Sequence, residues 1–205
     1  VDRDLVYEVI QGRKLPLDLY RPKSTNPTAL VIWIHGGGWK SGSKAGGGPA
    51  VFQLLQRGYA VASVEYRLSG EAVFPAAIED CKAAVSFLRL NAEKYNLDPK
   101  RFGVWGSSAG GHLVSLLGTT NDVDQFDTHP VTRKASSEVQ AVCNWFGPSD
   151  FLRMNDFPSR INHDAADSPE SRFIGGAIQE NPEKVQSANP ANYASAGDPP
   201  FLHLH

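Results

Sequence analysis

The chain has 205 residues, which is enough for one domain with a buried core and too few for two full domains. Its apolar fraction of 41% and charged fraction of 20% are those of an ordinary globular protein. The net charge of -2 and the lack of a basic run argue against a nucleic-acid partner, and no apolar stretch approaches the roughly 18–20 residues of a membrane span.

The chain begins with two alternating runs, 5–10 and 15–20, which predict a β-hairpin. The continuous apolar run 29–34 is typical of a strand buried on both faces of a parallel sheet. Further along, helices are predicted at 49–57, 76–92 and 109–117, and strands at 59–66, 102–105 and 139–146. This alternation predicts an α/β fold, with a mostly parallel sheet and helices on both faces.

The alternation of strands and helices breaks after Gly147. Residues 150–188 are polar and irregular, with short helices predicted near 170–175 and 182–186. A long irregular insertion after a strand is often a lid or a binding loop, and a surface excursion without function is an equal alternative. A further strand is predicted to begin at Pro200, within the same single domain 1–205.

The strongest chemical signal is Gly106-Ser107-Ser108-Ala109-Gly110, between a predicted strand and a predicted helix. In this context Gly-x-Ser-x-Gly is the turn that presents the nucleophilic serine of α/β hydrolases. The sharp reversal strains the serine backbone, and a glycine two residues before and after it lets the helix cross close to the strand. Ser108 has this two-sided spacing and Ser107 does not, so Ser108 is the predicted nucleophile, at a helix N-terminus that favours negative charge.

A second signal, His35-Gly36-Gly37-Gly38-Trp39, directly follows the buried strand predicted at 29–34. Consecutive glycines let the backbone approach a substrate closely and point its amides at a developing oxyanion. The N–H groups of Gly36, Gly37 and Ala109 are therefore the predicted oxyanion donors. By itself this motif could merely end a strand, but together with the serine turn it predicts a catalytic site.

The two motifs together resemble the esterase/lipase branch of the α/β hydrolases. The resemblance is to the hormone-sensitive-lipase-like group and, more closely, to bacterial carboxylesterase and feruloyl-esterase-like domains. Further matching stretches are Gly58-Tyr59-Ala60-Val61-Ala62, Tyr66-Arg67-Leu68, Phe74-Pro75-Ala76 with Asp80, and Phe146-Gly147-Pro148-Ser149-Asp150. The resemblance covers nearly the whole chain and implies the α/β-hydrolase fold. The short N-terminus leaves no room for the cap of hormone-sensitive-lipase relatives, so we expect an open site, roofed by the segment after Asp150.

The resemblance also implies where the other triad members lie. In this fold the acid and then the histidine follow the serine along the chain. The family places the acid in the loop after the strand that begins here at Phe201, and the histidine after one more strand. We therefore expect that this chain lacks the catalytic acid and base, together with a C-terminal strand and helix of the fold. A sheet edge left uncovered at 201–204 predicts self-association.

Several residues within the chain are alternative candidates for the acid and the base. His112 lies one helical turn past Ser108, although the family keeps a histidine there without using it as the base. The other histidines are His35, which is expected to brace the glycine turn, His129 and His163 in irregular segments, and His203 and His205 at a strand end. Asp150 follows the strand predicted at 139–146, where some α/β hydrolases place the acid, but it also suits a cap of the next turn.

The expected function is that of a serine carboxylic-ester hydrolase, acting on short-chain acyl or carbohydrate-linked esters through an acyl-enzyme at Ser108. A serine peptidase of the same fold and a non-catalytic binding module are the alternatives. Trp39 and Tyr66 could flank the substrate pocket, with core packing an equal alternative. No metal-ligand spacing and no dinucleotide motif is seen, so we expect no metal, no cofactor and only a small-molecule ester as partner. The location stays open, as a soluble bacterial protein of the cytoplasm or a secreted one.

Overall fold

A seven-stranded sheet forms the centre of the computed structural model, which describes residues 1–47 and 53–205. The strands are β1 (Asp2–Ile10), β2 (Arg13–Tyr20), β3 (Thr28–Ile34), β4 (Ala60–Val64), β5 (Leu97–Ser107), β6 (Ala141–Trp145) and β7 (Phe201–Leu204). Their order across the sheet is β1-β2-β4-β3-β5-β6-β7. Strands β3 to β7 are parallel to one another, and β1 and β2 join antiparallel at one side. The prediction of a mostly parallel sheet is confirmed.

Helices occupy the connections where the sequence predicts them. The α-helices are α1 (Ala76–Leu90), α2 (Ala109–Thr119), α3 (Pro169–Ile174) and α4 (Pro182–Ala188). Short 3-10 turns lie at Lys44–Gly47, Asp124–Phe126, Phe151–Asp156, Ile178–Glu180 and Pro190–Tyr193. Of the helix predicted at 49–57, residues 53–56 are helical, and its first part lies outside the described residues.

The predicted hairpin at the start of the chain is confirmed. Ile10 pairs with Arg13, so a two-residue turn of Gln11 and Gly12 joins β1 to β2. Both turn residues have positive φ, 49° and 85°, as a tight turn that matches strand twist requires. Strand β2 then pairs with β4, which attaches the hairpin to the parallel part of the sheet.

One face of the sheet packs against the two long helices. Gly118 of α2 lies so close to Val142 and Phe201 that a side chain there would overlap both. On α1, the Arg89 guanidinium lies over the Phe102 ring, 4.7 Å from its centroid. These contacts place α1 and α2 on the same side and hold α2, which follows Ser108, against β5, β6 and β7.

The opposite face carries three tryptophans on adjacent strands. Trp33, Trp105 and Trp145 meet edge to face, with centroid distances of 4.9 and 4.6 Å. Leu54, from the described helical residues 53–56, lines a groove on this face together with Val31. Helices thus lie on both faces, as predicted.

Part of the segment 150–188 packs into the core. Phe151, Phe173, Ile178 and Val185 are fully buried and belong to the same apolar cluster as α2. This packing places α3 and α4 beside the carboxyl ends of the parallel strands. Among the described residues, no helix combines the length and the apolar character needed to cross a membrane.

Candidate active site

Ser108 lies at the junction of β5 and α2, in the sharp turn that the sequence predicts. Its φ of 53° and ψ of -122° lie outside the regions that residues with side chains normally adopt. The Ser108 N–H donates to the Trp145 carbonyl on β6 at 2.8 Å, and the Ser108 carbonyl accepts from the His112 N–H at 3.0 Å. Such strain persists only where the surroundings fix it, so β6 and α2 together hold Ser108 at the carboxyl end of the sheet.

Two glycines make this turn sterically feasible. A Cβ on Gly106 would overlap the Gly110 carbonyl, and a Cβ on Gly110 would overlap the Ile34 carbonyl at the end of β3. Strand β5, helix α2 and strand β3 therefore approach so closely that only glycine fits at positions 106 and 110. The sequence analysis explained the two glycines by a close crossing of helix and strand, and the structure shows that crossing.

The glycine turn at 36–38 lies directly against Ser108. A Cβ on Gly36 would be 2.7 Å from the Ser107 carbonyl and 3.3 Å from the Ser108 Cβ. Within the described ranges, the N–H groups of Gly36 and Gly37 donate no hydrogen bond. Ala109 is the first residue of α2, where the backbone N–H has no partner within the helix. The three predicted donors thus come from segments that meet at Ser108.

Trp39 and Tyr66 differ in their relation to the site. Trp39 lines the cavity over Ser108 but is nearly buried, and its ring stacks on Phe173 at 4.7 Å. Tyr66 is fully buried and does not line that cavity. It stacks on His35 at 4.3 Å, so Tyr66 follows the core-packing alternative and supports the glycine turn from below.

A cavity of about 840 Å³ opens over Ser108. The glycine turn forms one wall, and the segment after β6 forms the other, with the exposed apolar side chains of Phe146, Phe157 and Ile161. Lys40, Asp150 and Arg153 add polar groups. A cleft of this size, mostly apolar with a few polar groups, is typical of a small-molecule site.

Two of the histidines considered as the base have their nearest polar contacts away from Ser108. His35 is buried, and its Nδ1 lies 2.7 Å from the Gly36 carbonyl. Burial lowers the pKa of His35, and this hydrogen bond offsets part of the effect. His129 lies between Asp80 and Glu8, with its ring nitrogens 3.3 and 3.8 Å from their carboxylates, and does not line the cavity.

His112 is also committed to other contacts, because it is fully buried and both of its ring nitrogens have partners. Burial lowers the pKa of His112 to about 4, and its hydrogen bond to the Ala188 carbonyl offsets part of this effect. His203 lies 3.3 Å from the Asn144 side-chain nitrogen. His163 and His205 line the cavity with Ser108.

The alternative candidate for the acid, Asp150, acts as a cap. Its Oδ1 accepts from the Leu152 N–H at 3.2 Å, at the start of the 3-10 turn Phe151–Asp156. This is the capping interpretation that its position in the sequence also allowed. Asp150 nevertheless lines the cavity, so its side chain lies within reach of a bound ligand.

Glu170 is a cavity residue that the sequence analysis did not identify. Its carboxylate is nearly buried, and Oε1 lies 3.2 Å from His163 Nδ1. His163 lies in the irregular segment before α3, and Glu170 lies in α3 itself. The fold of this segment brings the two side chains together. No group of three or more metal-binding side chains is found among residues 1–47 and 53–205.

The BD-FAE family model matches residues 17–205 of this chain. Esterase LipC of Mycobacterium tuberculosis is 32% identical over 192 residues, which are 92% of this chain and 47% of LipC. The probable carboxylic ester hydrolase LipM of the same organism is 30% identical over 198 residues, 95% of this chain and 45% of LipM. The chain thus spans about half the length of the curated relatives it matches.

Two proteins of known structure share both fold and sequence with this chain. A bifunctional GH43-CE protein of Bacteroides eggerthii is 38% identical, with a TM-score of 0.86 over 99% of this chain and 30% of that protein. A truncated form of a carbohydrate esterase from gut microbiota is 32% identical, with a TM-score of 0.85 over 99% of this chain and 75% of that one. The family match covers all of the strands from β3 onward and both predicted motifs. The chain therefore belongs to the BD-FAE family and has the fold of the α/β-hydrolase esterases.

Proposed function

We propose that this chain hydrolyses carboxylic esters through an acyl-enzyme on Ser108. One observation carries the proposal: a strained serine at a strand-to-helix turn lies against a glycine turn whose Gly36 and Gly37 amides donate no hydrogen bond to any described residue. A positioned nucleophile beside unpaired N–H donors is the arrangement that acyl transfer requires. The names of the relatives, which are esterases and carboxylic ester hydrolases, support the same chemistry.

In the proposed reaction, the Ser108 Oγ attacks the ester carbonyl carbon and gives up its proton to a base. The carbonyl oxygen becomes an oxyanion, which accepts hydrogen bonds from the N–H groups of Gly36, Gly37 and Ala109. The tetrahedral intermediate then collapses, and the alcohol leaves with a proton. Water attacks the acyl-enzyme by the same route, which releases the carboxylic acid and restores Ser108.

We further propose that the acid and the base of the triad are not among residues 1–205. The contacts support this, since His112 is bonded through both ring nitrogens, His35 Nδ1 bonds the Gly36 carbonyl, and His129 lies against the carboxylates of Asp80 and Glu8. Without a base, a serine hydroxyl is a weak nucleophile at neutral pH. The oxyanion donors and substrate binding alone leave roughly 10³–10⁴-fold catalysis over water, so the rate expected of the chain by itself is low.

The proposed substrates are short-chain acyl esters, including esters of carbohydrates. One of the structural relatives is a carbohydrate esterase, which supports a sugar as the alcohol component. Polar groups of Lys40, Asp150 and Arg153 in the cavity wall can bond sugar hydroxyls, while the apolar side chains leave room for an acyl chain.

The test compares hydrolysis of p-nitrophenyl acetate, p-nitrophenyl octanoate and an acetylated sugar by the wild-type chain and its Ser108→Ala variant. We expect activity that depends on Ser108 and is higher toward acetate than toward octanoate. Because the rate expected of the chain by itself is low, equal rates with and without Ser108 would limit this chain to the nucleophile-bearing part of the enzyme, and failure of a fluorophosphonate to label Ser108 would disprove the acyl-enzyme. A preference for a peptide substrate over all three esters would instead favour the peptidase alternative. Replacing His163 or His205 by Asn tests the two cavity histidines, and loss of activity in either variant would refute a base outside this chain.

A further inference from the structure

A buried contact joins the glycine turn, the nucleophile helix and the end of the insertion. His112 lies on α2, four residues after Ser108, and is fully buried. The Trp39 Nε1–H donates to His112 Nδ1 at 3.3 Å, and His112 Nε2 lies 2.7 Å from the Ala188 carbonyl. One imidazole thus links three segments that are distant in sequence and meet at the site.

The partners of the ring determine its tautomer. An indole N–H can only donate, so His112 Nδ1 must carry a lone pair and no proton. The Ala188 carbonyl can only accept, so the proton must be on Nε2. His112 is therefore a neutral imidazole, and a proton on Nδ1 would oppose the Trp39 N–H.

Trp39 needs this support because of its backbone. It follows Gly37 and Gly38, and all three residues have positive φ, which is 55° at Trp39. A bulky side chain in that conformation is unfavourable by itself and persists where its environment fixes it. The environment consists of Phe173, stacked at 4.7 Å, Phe151 at 5.3 Å and the His112 ring at 5.2 Å.

Trp39 also belongs to the same turn as the proposed oxyanion donors. Gly36 and Gly37 are three and two residues before it. We therefore expect a shift of the Trp39 ring to change the direction of their N–H groups. Donors of this kind act only when held about 3 Å from the oxyanion, and small displacements reduce the rate strongly.

We infer that His112 is a positioning residue that holds the oxyanion-binding turn in place by accepting the Trp39 indole hydrogen bond. It does not touch the substrate or transfer a proton. The inference about the turn stands on the contacts alone, and its effect on catalysis rests on the proposed function. This assigns a purpose to a histidine that lies next to the nucleophile but is too buried to serve as its base.

The first test measures the turn itself and does not depend on turnover. Hydrogen exchange followed by mass spectrometry is compared for the peptide that contains residues 35–41 in wild type, His112→Phe and Trp39→Phe. We expect about tenfold faster exchange of these amides in both variants, equivalent to ~1.4 kcal/mol of local stability. The β1–β2 hairpin, which does not contact His112, should exchange at the wild-type rate. Unchanged exchange at 35–41 in folded variants would overturn the inference.

Rescue and coupling separate positioning from packing. In His112→Asn, the side-chain oxygen lies near the former position of Nδ1 and can again accept the indole hydrogen bond, so exchange of 35–41 should return toward the wild-type rate. Phe at 112 fills the space without accepting, so a pure packing role would make Phe the better substitute. The double variant His112→Phe/Trp39→Phe should be no worse than either single one, because both remove the same bond. Additive effects would contradict the inference.

The catalytic consequence is measured with p-nitrophenyl acetate. We expect kcat to fall about tenfold in His112→Phe and Trp39→Phe with KM within about twofold, because the oxyanion donors act in the transition state. His129→Gln, a histidine outside the cavity, is the matched control and should keep the wild-type kcat. If wild type and Ser108→Ala are equally inactive, as the low rate expected of the chain by itself allows, covalent labelling of Ser108 decides the proposed function, and the exchange experiment decides the role of His112. A rise in KM alone would overturn a role in positioning the oxyanion donors.

Discussion

Tyr66 lies flat against His35, with ring centroids 4.3 Å apart, and its hydroxyl donates to the His35 carbonyl at 2.9 Å. Both residues are buried, so this hydrogen bond satisfies a backbone carbonyl that water does not reach. His35 directly follows β3 and leads into the glycine turn, and the Tyr66 ring packs beneath it. This hydrogen bond explains why a tyrosine, and not a phenylalanine, packs beneath the glycine turn.

Replacement of Tyr66 by Phe removes this donor and leaves the His35 carbonyl unpaired. We expect the free energy of unfolding to fall by about 1–3 kcal/mol, the typical cost of an unsatisfied buried acceptor. Urea unfolding measured by tryptophan fluorescence provides the value. Tyr59→Phe is the matched control, because Tyr59 is 41% exposed, and it should stay within ~0.5 kcal/mol of wild type. Equal stability of Tyr66→Phe and wild type would show that the bond contributes nothing.

A methyl group at position 110 tests the close approach of α2 and β3. Because the new Cβ would overlap the Ile34 and His35 carbonyls, Gly110→Ala should cost about 3 kcal/mol or more, or prevent folding. Gly70→Ala adds the same methyl group where no atom lies within 4 Å, and it should be nearly neutral. Thermal unfolding of the two variants by circular dichroism gives the comparison. A stable Gly110→Ala protein would mean that the helix can move away from the strand without cost.

The neutral state of His112 predicts a specific pH dependence of stability. Its pKa is about 4 in the folded protein, against an ordinary value of 6.5. At a pH between these two values, the unfolded chain therefore binds a proton that the folded chain does not. Stability should therefore fall as the pH falls from about 6.5 to about 4, by up to ~3 kcal/mol from this residue, and this contribution should be constant below that window.

Comparison with His112→Phe isolates that contribution, because other titrating groups are common to both proteins. The difference in unfolding free energy between wild type and variant should shrink as the pH is lowered through the window. Urea unfolding at pH 7, 5.5 and 4.5 provides the three points. A difference that is independent of pH would mean that His112 titrates equally in the folded and unfolded states.

The edge of the sheet at β7 predicts self-association. Leu202 and Leu204 are 55% and 45% exposed, on the strand that ends the sheet order. An apolar edge strand is a template for pairing with another chain, so we expect concentration-dependent association in light scattering, which Leu202→Lys should reduce. Val9→Lys places the same charge on the opposite edge strand, where the residue is 52% exposed, and should have no comparable effect if β7 is the contact. A monomer at all concentrations would refute the prediction.

Local sequence patterns were sufficient to predict the parts of the structure that involve residues close together in the chain. The spacing of Gly106, Ser108 and Gly110 has one sterically acceptable outcome between a strand and a helix, and the structure has it. The hairpin is similar, because residues 11–14 between two alternating runs predict a turn, although β2 begins at Arg13 and the turn itself is only Gln11 and Gly12. In both cases the information lies within a few residues.

Contacts between distant segments could not be predicted in this way. Phe173 lies in a polar, irregular stretch, and nothing in that stretch indicates that its ring would stack on Trp39. His163 and Glu170 are close in sequence, but the irregular residues between them and α3 gave no periodic pattern from which their 3.2 Å approach could be predicted. Strand β5 begins at Leu97, before the predicted 102, because Leu97 pairs with Thr28 although polar residues interrupt the apolar pattern between 97 and 102.

The central claim, that Ser108 is the nucleophile, is tested most directly by covalent labelling. The wild-type chain, Ser108→Ala and Ser107→Ala are incubated with a fluorophosphonate, and the added mass is followed by intact-protein mass spectrometry. Ser107 is the matched control, because it is adjacent in sequence but lacks the two-sided glycine spacing. We predict one slow addition in wild type and in Ser107→Ala, and none in Ser108→Ala. Labelling of Ser108→Ala at the wild-type rate would contradict the account.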